Sequence, residues 1–360
     1  MAGYGDDSIS INVYLLPLPG AGADLQTVLL VVPQATNSLN GSRYRSYAST
    51  DDVTADEDAG YISATTAAQL TDAFSQSYTR PETILVGRCD LVGGEHYDDA
   101  IEKCIDAGAD FFGVCLQTDT ASEHVLASIY VETLAATTPK VLFIQSSSVD
   151  WYGATWPAGY STVQANKWSA IFFHDTVAQP YALCVACSRL AFDPNNQSAA
   201  FRCELTGVAS YAAALTTAQK TNALANHVNL LGSGMGTDYW SDLGLNFEGR
   251  AIDHLVSAAW LRSNLLTSIQ AIVRAYAARG RKLPVNTEGA RILESAVAGV
   301  ANQGVSIGHF DKYTDANGIE YPKTSSTYSR TNNSITITMD LFFANQVQTI
   351  TVNAYLNEAE

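Results

Sequence analysis

Basic residues are scarce in this chain of 360 residues. Twenty Lys and Arg stand against 36 Asp and Glu, which gives a formal net charge of −16. Such an excess of negative charge repels phosphate backbones and anionic membrane surfaces. The composition therefore argues against nucleic acid as a direct partner.

Long hydrophobic runs are also missing. The first apolar run, Val28 to Val32, is too short for a signal core or a membrane span, and the N-terminal segment MAGYGDDSIS contains no basic residue. These features predict a soluble protein that is synthesised in the cytoplasm and does not insert into membranes. A length of 360 residues exceeds the usual size of one core, which favours two domains.

Recognisable catalytic motifs are absent as well. The strand-like segment TVLLVVP is followed by QATNSLNG, without the glycine-rich turn that binds phosphates. Gly232, Gly234 and Gly236 form a cluster, but it follows a segment that we interpret as helical or irregular, so a tight loop is favoured over a phosphate cradle. The adjacent carboxylates point apart in a helix or strand, which argues against a general acid and base pair. We predict no catalytic residue and no cofactor.

The cysteines and histidines do not form a recognisable metal site. Only Cys184 and Cys187, among six cysteines, form a CxxC motif, and no second motif completes a zinc site. This pair lies inside a predicted helix, which favours packing in a reduced core. The six histidines are dispersed without an HExxH spacing. We therefore predict no metal ion.

The charge is unevenly distributed along the chain. Residues 1–180 contain 7 basic and 22 acidic residues, whereas residues 250–330 contain 10 basic and 6 acidic ones. Cations such as Arg274 and Arg279 could complement the carbonyl groups at the end of a long helix. The alternative is a docking surface for an acidic partner, and both interpretations stay open at this point.

Hydrophobic periodicity predicts two folded regions. From Leu25 to Phe192, short apolar runs alternate with amphipathic helices, which is typical of a parallel sheet covered on both faces. Thr66 with Gln69 is a candidate capping box in this region. A second unit is expected to begin near FRCELTGV. The pattern thus predicts an α/β region followed by a second unit, in two domains.

The second unit has its own local signals. Thr216 with Gln219 could cap a helix that leads into residues 222–231, and a long helix is expected from about Gly249 to Ala278. Thr287 is a candidate cap for a further helix. The tetrapeptide DANG at 315–318 predicts a hairpin turn, and strands are expected after it.

Both ends of the chain have the period-2 pattern of a strand. Ser8 to Leu15 alternates apolar and polar residues, and QTITVNAYL does so near the C-terminus. The proline- and glycine-rich segment PLPGAGA separates the N-terminal strand from the rest, and we interpret it as a hinge; an ordinary loop is the alternative. The predicted hinge residues are Pro17, Pro19, Gly20 and Gly22.

The order of these parts resembles contractile phage tail sheath proteins, particularly the compact tail sheath-like family. The similarity rests on the arm and PLPG, on YRSYASTDDVTADEDAGYISATTAAQLTDAFSQSYTRPETILVGR, on FRCELTGV and residues 222–239, on IDHLVSAAWLRSNL, and on LPVNTEGARILESAVAGVANQGVSIGHF. Each motif is weak alone, but together they span nearly the whole chain.

The resemblance implies a domain layout and an assembly mode. Residues 1–22 would be an N-terminal arm and hinge, 23–200 an α/β outer domain, 201–345 an inner α+β domain facing the tail tube, and 346–360 a C-terminal arm. The extended β-arms would add strands to neighbouring subunits. The arm positions expected to do so are Ile9, Ile11, Val13, Leu15, Ile350, Val352, Ala354 and Leu356.

The resemblance also implies function and partners. The chain would be a structural subunit, not an enzyme, that forms stacked hexameric rings around a tail tube and contracts to drive the tube through a host envelope. Its partners would be further copies of itself, the tail tube protein, and baseplate and tail terminator proteins, in a virion tail assembled in the host cytoplasm. An α/β enzyme with an unrecognised site and a sheath subunit of a bacterial contractile injection system remain alternatives. The candidates for tube contact are Arg279, Arg281, Lys282 and Arg291.

Overall fold

The computed structural model describes most of the chain. The described residues are 24–35, 38–77, 79–201, 203–211, 214–233, 239–241, 244–315, 317–329, 331 and 334–344. Within them the chain forms eight α-helices and fifteen strands. The helices are α1 (Thr50–Asp58), α2 (Ala64–Phe74), α3 (Tyr97–Asp106), α4 (Ala121–Leu134), α5 (Tyr181–Leu190), α6 (Thr217–Ala225), α7 (Ile252–Ala278) and α8 (Thr287–Ser306). The strands are β1 (Val28–Pro33), β2 (Tyr44–Tyr47), β3 (Ile84–Cys89), β4 (Gly113–Leu116), β5 (Val141–Ser146), β6 (Ser169–Phe173), β7 (Cys203–Leu205), β8 (Val228–Ser233), β9 (Tyr239–Ser241), β10 (Phe310–Asp311), β11 (Tyr313–Thr314), β12 (Glu320–Tyr321), β13 (Lys323–Ser329), β14 (Ser334–Asp340) and β15 (Phe342–Phe343).

Nine strands form one sheet in the order β2-β3-β1-β4-β5-β6-β8-β9-β7. The six strands from β3 to β8 in this order are parallel to their neighbours, with Val28 of β1 opposite both Ile84 of β3 and Gly113 of β4. The strands β2, β9 and β7 pair antiparallel at the two sides. A parallel sheet of this kind requires helices on both faces.

Alternate residues of the central strands enter two different hydrophobic cores. In β1, Val28, Leu30 and Val32 belong to the core that contains α2 and α5. Leu29 and Val31 belong to the opposite core, which contains α3 and α4. Burial on both faces explains why these strands are continuous apolar runs in the sequence.

The sheet continues beyond residue 200. The helix expected to lead into residues 222–231 ends at Ala225, and β8 follows it and pairs parallel with β6. The interpretation of this segment as helical or irregular was wrong: residues 228–233 form a strand, in which Val228, Leu230 and Leu231 are buried. Gly232 therefore lies inside a strand of the parallel sheet, whereas Gly234 and Gly236 lie outside the described residues. The domain boundary expected at residue 200 falls within this sheet, and the division into domains stays a prediction.

The long helices α7 and α8 pack against each other beside the sheet. Trp260 of α7 is fully buried, and its indole N–H donates to Asn195 Oδ1 at 3.1 Å, which ties α7 to the loop after α5. The antiparallel hairpin β13–β14 packs on α8 through Ile335, Ile337 and Met339. This helix pair with its hairpin is the α+β part of the molecule.

Two predicted helix caps were wrong by one turn or one residue. Helix α2 begins at Ala64, because the Ser63 hydroxyl accepts a hydrogen bond from the Thr66 N–H at 3.1 Å. Helix α8 is capped by Asn286 instead of Thr287, with Asn286 Oδ1 accepting from the Gly289 N–H at 3.0 Å. Both residues have extended backbone angles, which the N-cap position requires.

Other predicted elements are confirmed. The Thr216–Gln219 capping box forms in both directions, at 2.8 and 3.3 Å. The strands β11 and β12 flank the predicted turn at 315–318 and pair antiparallel. The fold class, α/β joined to α+β, is confirmed, and the predicted terminal arms lie outside the described residues.

Candidate functional site

Most residues predicted to join subunits fall outside the described part of the chain. This holds for all arm and hinge positions, namely Ile9, Ile11, Val13, Leu15, Pro17, Pro19, Gly20, Gly22, Ile350, Val352, Ala354 and Leu356. Their roles stay predictions. The predicted tube contacts, in contrast, all lie on described residues.

Four cationic side chains lie at one end of the α7–α8 pair. Arg279 is the C-terminal cap of α7, Arg281 and Lys282 follow in the connecting loop, and Arg291 lies in the second turn of α8. All four are exposed. In the part of the chain that the structure describes, none of the four forms an ion pair. This group, which we call the basic end, is available to an anionic partner.

Two glycines shape the backbone at the basic end. Gly280 adopts a φ of +66°, and its N–H donates to the Ala277 carbonyl at 2.9 Å, which ends α7. The loop then folds closely over α8: a Cβ at Gly289 would lie only 1.8 Å from the Pro284 carbonyl oxygen. Glycine is therefore needed for this approach.

An open groove of about 620 Å³ lies beside the basic end. Its lining residues are Thr287, Glu288, Arg291, Ile292 and Ser295. The hydroxyl groups and the guanidinium can bind carboxylates, whereas the Glu288 carboxylate in the same lining opposes an anion. The side chains that line this groove can therefore bind a ligand.

A second cavity, of about 280 Å³, lies at the carboxyl edge of β1, β4 and β5, where open α/β sheets commonly bind ligands. Its polar side chains bond to one another. Asp119 accepts from the Ser147 N–H at 3.1 Å and also from the Ser147 hydroxyl, and Gln117 Nε2 donates to Gln69 Oε1 at 2.7 Å. These groups join the ends of neighbouring strands and need no ligand to complete their hydrogen bonds.

Two buried histidines have structural partners. His124 Nδ1 lies 2.6 Å from the Tyr160 hydroxyl, and His309 Nδ1 lies 2.8 Å from the Ser257 hydroxyl. Burial lowers the pKa of both imidazoles, which keeps them neutral at pH 7. Both rings lie in the packed interior.

The cysteines are free and buried. Burial raises the pKa of the Cys104 and Cys203 thiols to about 11, and the pKa values of Cys184 and Cys187 also lie well above their usual range. Cys184 and Cys187 lie inside α5, as predicted. Thiols held in the protonated form are poor nucleophiles and poor metal ligands.

Across the described ranges, no group of three or more His, Cys, Asp or Glu side chains is arranged to hold a metal ion. None of the helices in those ranges has both the length and the hydropathy needed to span a bilayer.

The fold matches solved contractile sheath structures over nearly its whole length. A chain of the anti-feeding prophage (AFP) helical sheath in the contracted state matches with a TM-score of 0.66 and 11% identity, covering 99% of this chain and 100% of that one. A chain of the contracted PVC sheath complex, from an extracellular contractile injection system, matches with a TM-score of 0.64 and 11% identity, covering 99% and 98%. The sheath tail protein from Desulfitobacterium hafniense matches with a TM-score of 0.59 and 10% identity, covering 94% and 97%.

The sequence itself gives no such match. No protein-family model matches it. No curated protein matches it either. The likeness is therefore one of fold.

Proposed function

The fold is that of contractile sheath proteins, and from it we infer that this chain is a structural subunit of a contractile tail sheath. The observation that carries this proposal is the extent of the structural match, which covers 99% of this chain in two sheath assemblies. The helix pair and the hairpin are included in that coverage together with the sheet. The chain would act by assembly and rearrangement, without catalysis.

The proposed assembly is a stack of hexameric rings around a tail tube, with baseplate and tail terminator proteins at its ends. One structural neighbour is a chain of the AFP baseplate, symmetrised six-fold, with a TM-score of 0.65 and 98% coverage of this chain. Heterologous contacts that repeat without closing generate helical stacks of this kind. Contraction would repack these contacts and drive the tube through the host envelope.

Strand exchange is the proposed means of connecting subunits. Among the described strands, β13 and β14 pair only with each other, and their outer edges are the proposed acceptors for the arms. The apolar alternation of the two predicted arms suits such an edge, because backbone hydrogen bonds extend the sheet and alternate side chains fix the register. A strand edge that would otherwise favour aggregation then forms a specific contact between subunits.

The tail tube is the proposed partner of the basic end. Arg279, Arg281, Lys282 and Arg291 are exposed and share one end of the α7–α8 pair. An acidic tube surface would complement them, with little need to desolvate either side. Direct contact with nucleic acid is not expected for a chain with a net charge of −16.

The particle that carries the sheath is proposed to be a phage tail in the virion, assembled in the host cytoplasm. A bacterial contractile injection system is the second candidate, and the AFP and PVC matches favour it. Particles isolated from the source cells separate the two: DNA-filled heads on the tails support the phage, and headless tails support the injection system.

Negative-stain electron microscopy of the purified full-length protein tests the main proposal. We expect rings or tubular polymers whose amount rises with protein concentration. A protein that stays monomeric at all concentrations and turns over a substrate would overturn the proposal in favour of an α/β enzyme.

A further inference from the structure

Two exposed aliphatic side chains lie in the loop that follows β3, at the carboxyl edge of the sheet. Val92 is 98% exposed, more than any other large apolar side chain in the described ranges, and Leu91 beside it is 44% exposed. We call this pair the apolar tip. Isolated apolar side chains are ordinary on a protein surface, but two adjacent ones form a small hydrophobic contact surface.

Hydrogen bonds fix the loop that carries the apolar tip. Asp90 Oδ1 accepts from the Gly93 N–H at 3.0 Å. Gly94 has a φ of +82°, and its N–H donates to the Leu91 carbonyl at 3.1 Å. The Asp90 N–H donates to the Glu95 carboxylate at 2.7 Å, and the Glu95 N–H donates to the Asp90 carbonyl at 3.1 Å. Because the loop is already ordered, little conformational entropy is lost when its tip binds a partner.

An apolar pocket opens at the same edge of the sheet. It is the cavity of about 280 Å³ at the ends of β1, β4 and β5, which we call the edge pocket. Leu30, Phe143 and Leu183 are buried in its wall. Val177 and Ala178 are exposed at its mouth. Since an apolar cavity of about 150 Å³ can hold a molecule of the size of benzene, the edge pocket has room for one or two aliphatic side chains.

The lining of the edge pocket favours an apolar occupant. Its polar side chains already bond to one another, as the contacts of Asp119 with Ser147 and of Gln117 with Gln69 show. A polar ligand would have to compete with these hydrogen bonds, whereas an aliphatic side chain would displace only water from the apolar wall. Asp119 is the only charged residue among the described residues of the lining, and it disfavours an anion.

The size of this contact indicates which molecule supplies the occupant. Within one copy the tip and the pocket do not meet, because Val92 stays exposed. Two aliphatic side chains bury far less than the roughly 1,000 Å² that a stable interface needs, so this contact alone could not hold a separate partner protein. Copies of this chain that other contacts already hold together can use it, because their effective concentration is high.

We propose that the apolar tip of one subunit inserts into the edge pocket of a second copy of this chain. This inference rests on the proposed sheath function, which supplies the other contacts between copies. The two surfaces differ, so the second copy keeps its own apolar tip free for a third. Heterologous contacts of this kind repeat along an assembly.

Crosslinking between two full-length variants tests the contact directly. Val92→Cys is prepared in one sample and Val177→Cys in another, and a short bismaleimide is added to their mixture; the six native cysteines are buried. We expect covalent dimers that join the two variants. The control mixes Val92→Cys with Thr137→Cys, an exposed position at the opposite, amino edge of the sheet, and should give few dimers.

The same samples are viewed by negative-stain electron microscopy, which separates this contact from the sheath proposal. Polymers without crosslinks between Val92→Cys and Val177→Cys, or with equal crosslinking in the control mixture, overturn the contact and leave the sheath proposal intact. Crosslinked dimers in a protein that never polymerises support the contact and overturn the sheath proposal. Monomers without crosslinks overturn both.

A charge placed on the apolar tip gives an independent measurement. Val92→Asp should fold, because the side chain is exposed, and should raise the protein concentration needed for polymer formation by about tenfold. Thr137→Asp adds the same charge at the amino edge and should leave this concentration unchanged. Ala178→Trp, which narrows the mouth of the pocket, should act like Val92→Asp, and the double variant should be no worse than either, since both changes remove one contact. Equal effects of Val92→Asp and Thr137→Asp overturn the proposal.

Discussion

At the residue scale, Glu95 has the densest set of charged contacts in the described part of the chain. Its carboxylate accepts from Arg43 Nη2 at 2.8 Å, from Lys103 Nζ at 2.7 Å and from the Asp90 N–H at 2.7 Å. Burial opposes ionisation of this group, but the hydrogen bonds from Arg43, Lys103 and Asp90 outweigh it and lower the pKa of Glu95 to about 2. The network joins the segment before β2 to α3.

Glu95→Gln should lower the free energy of unfolding at pH 7 by about 1 to 3 kcal/mol, after allowance for solvent screening. The folded pKa lies below the usual value of 4.5, so the stabilisation is present above pH 4.5 and is lost as the pH falls towards about 2. Urea denaturation at a series of pH values between 7 and 2 measures it. The exposed Glu57→Gln is the control, and equal acid sensitivity in both variants would contradict the prediction.

At the scale of elements, two glycines of α8 have opposite roles. A Cβ at Gly304 would lie 2.4 Å from Phe310 Cδ2 and 3.0 Å from Trp260 Cζ3, so this glycine allows α8 to approach its neighbours closely. A Cβ at Gly299 would meet no atom within 4 Å. The same substitution at the two positions therefore separates a packing requirement from helix propensity.

Gly304→Ala should lower the free energy of unfolding by about 1 to 3 kcal/mol through overpacking. Gly299→Ala should raise it by about 1 kcal/mol, because alanine favours the helix and meets no obstacle. Urea midpoints of the two variants, compared with the parent protein, measure both effects. If both substitutions lower the free energy of unfolding by the same amount, close packing at Gly304 does not explain the effect.

Local signals predicted some elements, and tertiary contacts decided others. The Thr216–Gln219 box and the continuously apolar strand β1 were readable because their own residues carry the pattern. Strand β8 was missed because its buried state depends on pairing with β6, which lies more than fifty residues earlier and leaves no local mark. The choice between Asn286 and Thr287 as the N-cap of α8 depends on which residue has the extended backbone conformation after the loop from α7.

At the scale of the whole molecule, negative and positive charges are concentrated in different parts of the chain, and the structure shows where the positive ones lie. The excess of negative charge lies in residues 1–180, and the basic end lies on α7, α8 and their loop. The sequence left open whether Arg279 serves its own helix or a partner. Arg279 occupies the C-cap position of α7 through its backbone N–H, and its exposed side chain is available to a partner.

Reversing charge at the basic end should weaken binding of the subunit to polymers of the tail tube protein by about tenfold. Each exposed charge contributes little to the binding free energy, and two charges are reversed. The variant combines Arg281→Glu with Lys282→Glu. Its control combines Lys167→Glu with Lys220→Glu, which changes net charge equally at exposed positions elsewhere. Co-sedimentation at increasing salt measures the effect, and added salt should reduce the difference between the variants. Equal loss of binding in both would point to net charge and not to the basic end.

Deleting residues 1–16 removes the predicted arm strand and leaves every described residue in place. The truncated subunit should fold, since its sheet and cores are intact, but should not form tubes alone. It should also shorten the tubes of full-length protein when mixed in as a minority, because it still offers acceptor edges on β13 and β14 while donating no strand.

The matched control deletes residues 1–7, which keeps the alternating segment from Ser8 to Leu15 and should assemble normally. Electron microscopy of tube lengths across mixing ratios distinguishes the cases. If the longer deletion still yields normal tubes by itself, subunits do not connect through the N-terminal arm. The contacts that build the lattice would then have to come from the described surfaces or from the C-terminal segment.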